Sequence, residues 1–340
     1  MMKVDCQNPA SVFQGWTSAQ SDVLSKKRIF LTGGTGFFGK CLISQLLASD
    51  KKLNAEVIVL SRNPAQFKAA FPMFGECANL SFVEGDVRDF RFPSGSFDYV
   101  IHAATESSVK LDQENPEEMY SVIVDGTRRV LEFSKQAGIQ RLLYVSSGAV
   151  YGVQPPELTH VPETFPCNPI TAYGKGKLKA EQMCLECGVE TVIARGFAFV
   201  GPWFPLDTHF AIGNFIGNCL RNEPIVIRGD GTPLRSYMYG GDLAEWLWTL
   251  LLRGEHARPY NVGASDAISI LDLAHLVREC AGTDNLITCL GTPLPNVPPS
   301  RYVPSIQRAK EELGLVPRCP LDDAIKRTLA WYRTCTAASR

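Results

Sequence analysis

Arg28-Ile29-Phe30-Leu31-Thr32-Gly33-Gly34-Thr35-Gly36-Phe37-Phe38-Gly39 opens the regular part of this chain. Its first five residues form a short, mostly apolar run that stops at two glycines, as expected of a buried strand that reaches a turn. Beyond the glycines, residues 40–48 place Leu42, Ile43, Leu46 and Leu47 on one face of a helix. The glycines at 33, 36 and 39 therefore lie between a strand and a helix, and that placement gives their spacing a mechanism. Gly33 permits the tight turn, Gly36 lets the backbone approach a pyrophosphate, and Gly39 lets helix and strand pack closely. The unpaired N–H groups of the helix start then face the anion. With Thr35, Phe37 and Phe38, these glycines are the expected dinucleotide-binding loop.

Working outward, residues 56–60, 80–83, 97–103, 141–146 and 191–195 read as further strands. Residues 117–137, opened by Pro116, and 175–187 read as helices between them. Strands alternating with helices at this spacing predict an α/β fold, a doubly wound parallel sheet joined by right-handed crossovers. From Gly201 onward Pro and Gly become frequent, and surface helices are expected over 271–280 and 321–332. Trp246 and Trp248, near Leu250 to Leu252, read as helix core or as a dimer face.

The second strand ends in Leu60-Ser61-Arg62. NAD-preferring sites carry an acid there, about 20 residues after the glycines, for the ribose 2′-hydroxyl. A hydroxyl and a guanidinium suit a 2′-phosphate instead, so the expected cofactor is NADP(H), with NAD(H) as the alternative. Asp86-Val87 follows the third strand, where such folds hold the adenine edge.

Tyr173-Gly174-Lys175-Gly176-Lys177 places a phenol and an ammonium one helical turn apart. A free phenol, with a pKa of about 10, is a poor base at neutral pH. A nearby ammonium and an oxidised nicotinamide ring are expected to favour the phenolate, so that Tyr173 exchanges a proton with a carbinol or carbonyl oxygen as hydride moves. Upstream, Ser146-Ser147-Gly148-Ala149 follows the fifth strand at its carboxyl end, where open α/β sheets bind ligands.

Bulk properties exclude several classes. The 340 residues are 45% hydrophobic and 20% charged, with formal net charge -1. That balance offers no nucleic-acid or anionic-membrane surface. No run approaches the roughly 20 apolar residues that span a bilayer, and the first 25 residues lack a signal-like apolar stretch, so the cytoplasm is the expected location. The eleven cysteines are expected to be reduced core residues. Cys184 and Cys187 have CxxC spacing, but no second CxxC or His pair accompanies them, and no metal is expected.

Glycine loop, Ser-rich strand end and YxxxK, in this order, resemble the extended short-chain dehydrogenase/reductases, also called the NAD-dependent epimerase/dehydratase family. The resemblance extends over Gly85-Asp86-Val87-Arg88-Asp89, His102-Ala103-Ala104, Gly126-Thr127, Arg195 to Pro202, Gly229 to Tyr237, Tyr260-Asn261-Val262-Gly263 and Leu313-Gly314. It implies a Rossmann domain over 27–200, with 237–264 returning to it, after an N-terminal arm at 1–26. A smaller domain of 201–236 and 265–335 is implied to bind a nucleoside-diphosphate sugar, and a homodimer is the expected assembly.

On this resemblance Ser147, Tyr173 and Lys177 are catalytic, and Ala103 and Ala104 join the cofactor residues. Asn214 and Phe215 fall in the sugar-nucleotide segment. Arg235 is the diphosphate clamp, with Arg301 as a second. The chain also departs from the family. Ile123 stands where the family has Asn, Ala198 where it has a second Asn, and Gly148 and Ala149 where 4,6-dehydratases carry an acidic pair. Keto-sugar reduction is therefore the expected reaction, and epimerisation with a retained cofactor is the alternative. Dehydration, or a cofactor-binding scaffold without turnover, stands behind both. His102 is expected to serve as a backbone partner, not a base.

Overall fold

The computed structural model describes Phe13 and residues 23–48, 54–105 and 109–338. Most of the expected arm, 1–12 and 14–22, lies outside the described residues. Seven parallel strands form the central sheet: β1 (Arg28–Thr32), β2 (Glu56–Ser61), β3 (Leu80–Glu84), β4 (Tyr99–His102), β5 (Arg141–Ser147), β6 (Thr191–Gly196) and β7 (Pro259–Val262). Their order is β7-β6-β5-β4-β1-β2-β3, and every neighbouring pair is parallel. The order reverses between β1 and β4. At that point the crossovers leave to opposite faces of the sheet and a crevice opens beyond the strand ends.

Strand pleat sorts the core into two halves. Ile29 and Leu31 of β1 face one side, with Val57 and Val59, and join a core closed by α1 (Phe37–Ala48) and α5 (Gly240–Arg253). Phe30, Ile58 and Leu60 face the other, against α2 (Pro116–Ala137) and α3 (Ala172–Glu186). Trp246 and Trp248 are buried inside the chain itself, and the Trp248 indole N–H donates to the Leu42 carbonyl at 3.3 Å. They are core residues, and the dimer-face alternative falls.

α1 begins at Phe37, directly on the glycine turn. Gly33 has φ +74°, and a Cβ there would lie 2.5 Å from the Ala103 carbonyl oxygen. A Cβ at Gly39 would lie 2.2 Å from the Gly34 Cα. Only glycine satisfies both approaches. α2 starts on the Asn115 side chain, which accepts from the Glu118 N–H, and stops at Gly138 with φ 61°. α3 starts on Thr171, which accepts from the Gly174 N–H.

The remaining expectations differ at the edges. The fourth strand is shorter than 97–103, the fifth extends through Ser147, and the helix of YxxxK starts at Ala172. The late helices are α6 (Ile270–Ala281) and α7 (Leu321–Ala338). Each buries one face: Leu273, Ala274 and Val277 on α6, and Ala324, Ile325 and Leu329 on α7. Cysteines from Cys41 to Cys335 carry free thiols, and the Cys187 thiol donates to the Cys184 carbonyl within its own helix end. No helix among the described residues is long and apolar enough to cross a membrane.

His102 departs from the expected backbone pairing, because its ring bridges two hydroxyls. Nδ1 lies 2.7 Å from Thr32 Oγ1 and Nε2 lies 3.0 Å from Thr127 Oγ1. Thr127 already donates to the Ile123 carbonyl, and Thr32 Oγ1 already accepts from the Ala104 N–H. Thr127 spends its proton on the Ile123 carbonyl, so Nε2 donates to it; with Nδ1 accepting from Thr32, the neutral ring ties β1, β4 and α2 together. Burial pushes the His102 imidazole down to about 3. The folded state thus disfavours the charged ring, while the unfolded ring titrates near its ordinary value of 6.5. This contribution to stability is complete above about pH 6.5 and is lost as pH falls from there towards about 3. Melting temperatures of wild type and His102→Gln should accordingly converge between about pH 7 and pH 4. Parallel curves would contradict this account.

Candidate active site

A cleft of about 1150 Å³ lies over the β1/β4 crevice, larger than the 300–1,000 Å³ or so typical of a site for one small ligand. Gly33, Thr35, Gly36, Phe37 and Phe38 form its floor, with Ser61 and Arg62 at the end of β2, Asp86 and Val87 after β3, and Ala103 and Ala104 after β4. Gly39 does not line it; its place is the packing contact with Gly34. The turn fits a dinucleotide pyrophosphate, since a Cβ at Gly36 would meet nothing nearer than the Gly33 oxygen at 3.4 Å, and the start of α1 points its amides there. Ser61 Oγ accepts from the Asn63 N–H at 3.3 Å. Arg62 is exposed, and the Asp86 carboxylate is held by the Arg88 guanidinium at 2.8 Å.

β5 and α3 bring the catalytic candidates together on the opposite wall. Ser147 closes β5, and its Oγ accepts from the Ala149 N–H at 3.2 Å. The Asp112 carboxylate accepts the Tyr173 backbone N–H at 2.7 Å, fixing the first turn of α3. One turn on, Lys177 is buried; its Nζ donates to the Val145 carbonyl at 2.9 Å and lies 5.8 Å from the Tyr173 ring centroid.

Burial governs the electrostatics of this wall in the chain alone. Burial pushes the Tyr173 phenol up, opposed by a hydrogen bond with Ser147. Burial likewise drives the Lys177 ammonium down to about 7, with Glu181 opposing the shift. Both groups share one enclosed wall, so desolvation outweighs their mutual effect, and the lysine commits a proton to a carbonyl. In the chain alone, burial therefore favours the protonated form of Tyr173.

Sequence reasoning missed two features. Glu181, one turn beyond Lys177, receives the Arg195 guanidinium at 2.7 and 3.0 Å, and Arg195 also donates to the Tyr151 hydroxyl at 3.0 Å. Removing one partner of such a buried pair costs about 3–5 kcal/mol. The i,i+4 spacing after Lys177 was the available signal. The second is Tyr302, which lines the cleft beside Ser147; nothing in its irregular surroundings marks it.

Of the four substrate residues, only Arg235 lines the cleft. Its guanidinium donates to the Leu234 carbonyl at 2.8 Å. Phe215 is core on α4 (Ala211–Arg221), and Asn214 donates to the Thr208 carbonyl at 2.7 Å. The strand Arg301–Tyr302 pairs in register with Leu234–Arg235. Arg235 therefore has Tyr302 as its neighbour, and Arg301 alternates to the other face.

Residues 29–263 match the model of the NAD dependent epimerase/dehydratase family. The chain belongs to this family. UDP-glucuronic acid decarboxylase 6 of Arabidopsis thaliana is 30% identical over 310 residues, covering 88% of this chain and 87% of the relative. Among solved structures, dTDP-glucose 4,6-dehydratase of Streptomyces venezuelae with NAD bound is 25% identical, with TM-score 0.79 over 92% of this chain and 98% of that one. UDP-glucose 4-epimerase of Thermus thermophilus in complex with NAD is 26% identical, with TM-score 0.76 over 90% of this chain and 99% of that one.

Two small residues, Gly148 and Ala149, follow Ser147. A Cβ at Gly148 would lie 2.7 Å from Phe197 Cζ and 2.8 Å from Tyr302 Oη, so the space beside Gly148 is filled from across the cleft. The family's Asn on α2 is likewise replaced by packing: Ile123 Cδ1 would lie 3.2 Å from a Cβ at Gly176. If Tyr173 carries the proton, Tyr173→Phe should lower turnover about 10²–10⁴-fold and leave cofactor affinity within about twofold. Steady-state rates and cofactor titration check both; unchanged turnover would remove Tyr173 from the chemistry.

Proposed function

We propose that this family member reduces a keto group on a nucleoside-diphosphate sugar, with NADPH as reductant. The reading is carried by the catalytic end: burial favours the protonated Tyr173 phenol, and Phe197 and Tyr302 fill the space beside Gly148, where the chain has no acid. Among the described residues the cleft's carboxylates are already engaged. Asp86 and Glu118 hold Arg88, and Asp112 holds the start of α3. Reduction needs only one proton donor, which Tyr173 supplies, whereas elimination of water needs an acid and a base.

When bound, the reduced cofactor supplies hydride to the carbonyl carbon. Tyr173 gives its phenolic proton to the carbonyl oxygen as negative charge grows there, and Ser147 donates a hydrogen bond to that oxygen. The Lys177 ammonium faces the phenolate left behind and favours it until a solvent proton returns. Arg235 receives the diphosphate through its guanidinium fork. Asn214, Phe215 and Arg301 are given no substrate contact in this reading.

NADP(H) is proposed over NAD(H) because Ser61 and Arg62 line the cleft at the end of β2 with no acid at that strand end. Titration should give NADP+ a dissociation constant about tenfold or more below that of NAD+; the reverse order would end this assignment.

A second reading keeps the same residues and changes the substrate. Relatives such as the 30% identical protein above are named for decarboxylation of UDP-glucuronic acid. With an oxidised cofactor to take the hydride and Tyr173 to take the hydroxyl proton, oxidation at the carbon β to a carboxylate would give a β-keto acid. After loss of carbon dioxide, the keto-pentose would take back the hydride and the Tyr173 proton, leaving no net change in the cofactor. Product balance separates the readings. A reductase consumes one NADPH per keto-sugar converted. Release of carbon dioxide from UDP-glucuronic acid with no net cofactor consumed would replace reduction by decarboxylation. Interconversion of sugars with neither change would indicate epimerisation.

A further inference from the structure

The first turn of α1 carries a charge that the described residues leave unanswered. Lys40 is only 8% exposed, yet it lines the cleft. Among the described residues its ammonium has no hydrogen-bond or ion-pair partner, and it stands over the Phe71 ring, 4.2 Å from Nζ to the centroid. A ring face attracts a cation but offers no lone pair to its three N–H donors. The position is unfavourable in two further ways: enclosure strips the charge of water, and a helix start presents the positive end of its dipole. Burial accordingly lowers the Lys40 ammonium to about 8. Buried charges are paired as a rule, and the open side of this one is the cleft.

Its place in the fold selects the anion. A helical side chain covers the turn before its own Cα, so Lys40 reaches back along the face of Gly36, whose carbonyl accepts the Lys40 N–H. Phe71 follows the short helix Pro64–Ala70, which leaves the end of β2 just beyond Ser61 and Arg62. The ammonium therefore stands on the β2 side of the glycine turn, across β1 from Ser147, Tyr173 and Lys177. A dinucleotide whose pyrophosphate lies on the start of α1 brings its adenosine ribose to the end of β2. A 2′-phosphate there adds about 1.5–2 negative charges. Arg62 does not meet that charge alone: Arg88 first, and Arg62 after it, hold the Asp86 carboxyl below its usual range.

We propose that Lys40 is a specificity-determining residue for the cofactor, its ammonium binding the ribose 2′-phosphate of NADP(H) together with Ser61 and Arg62. This rests on the reading of the cleft as an NADP(H) site, but not on which reaction follows. α1 then serves the dinucleotide twice, with backbone amides at the pyrophosphate and, one turn beyond Gly36, a cation at the 2′-phosphate. The unbound chain carries the cost of the enclosed charge, and the arriving phosphate removes it.

Binding and melting together test this. Dissociation constants of NADP+ and NAD+ are measured by calorimetry on the full chain, as wild type and as Lys40→Met, which keeps an apolar stem on Phe71 and removes the charge. NADP+ affinity should fall about tenfold and NAD+ affinity by less than about twofold. The melting temperature of the unliganded variant should match or exceed that of wild type, because an unpaired buried charge is gone; a purely structural lysine would lower it. Lys40→Gln repeats the measurement with a polar, uncharged side chain, so a poorly folded methionine variant does not leave the question open. Equal losses for the two cofactors overturn the proposal and mark a pyrophosphate or packing role. An unchanged ratio of the two affinities in a wild type that prefers NADP+ overturns the role of Lys40 and leaves the cofactor reading standing. Wild type that prefers NAD+ overturns that reading and this proposal together, before any variant is made.

Discussion

Gly33 lies against the backbone of Ala103 and Ala104, with less room than one methyl group between the first turn and the end of β4. The rest of the cleft hangs on this approach. It sets α1 directly on the turn, aims the helix amides at one point, and keeps the β1/β4 crevice free of side chains. Thr32, His102 and Thr127 lock β1 and β4 to α2 from beneath through a neutral imidazole. Backbone proximity and a buried polar bridge thus fix the place where a pyrophosphate fits, before any catalytic side chain is considered.

From that fixed floor, β5 and α3 carry Ser147, Tyr173 and Lys177 up the opposite wall. Desolvation dominates there. It favours the protonated phenol and weakens the ammonium, which is bound to a strand carbonyl. A wall in this state is prepared to give a proton to a developing oxyanion. Behind it, Glu181 and Arg195 neutralise each other in a bidentate pair, so the nearest buried carboxylate is held by the framework.

The sheet was legible because its signals are local: short apolar strands, glycines at a strand end, and helices with one apolar face. The grouping of Tyr173 with Lys177 was legible because a helical turn fixes the distance between them. The substrate wall was not, because it is assembled from two-residue strands whose pairing is non-local. Arg235 and Arg301 look equivalent in sequence, yet strand alternation turns one to the cleft and the other away and brings Tyr302 in its place. The burial of Tyr173 and Lys177 was not legible for a related reason: spacing reveals neighbours, whereas burial depends on the whole fold.

The central claim is that the cleft brings a nicotinamide and a sugar carbon together beside the Tyr173 phenol. Transfer of label from cofactor to sugar measures this contact itself. With NADPH dideuterated at C4 of the nicotinamide ring and a keto nucleotide sugar, the alcohol formed should be one mass unit heavier, with deuterium on the former carbonyl carbon. An alcohol formed without deuterium would contradict the account.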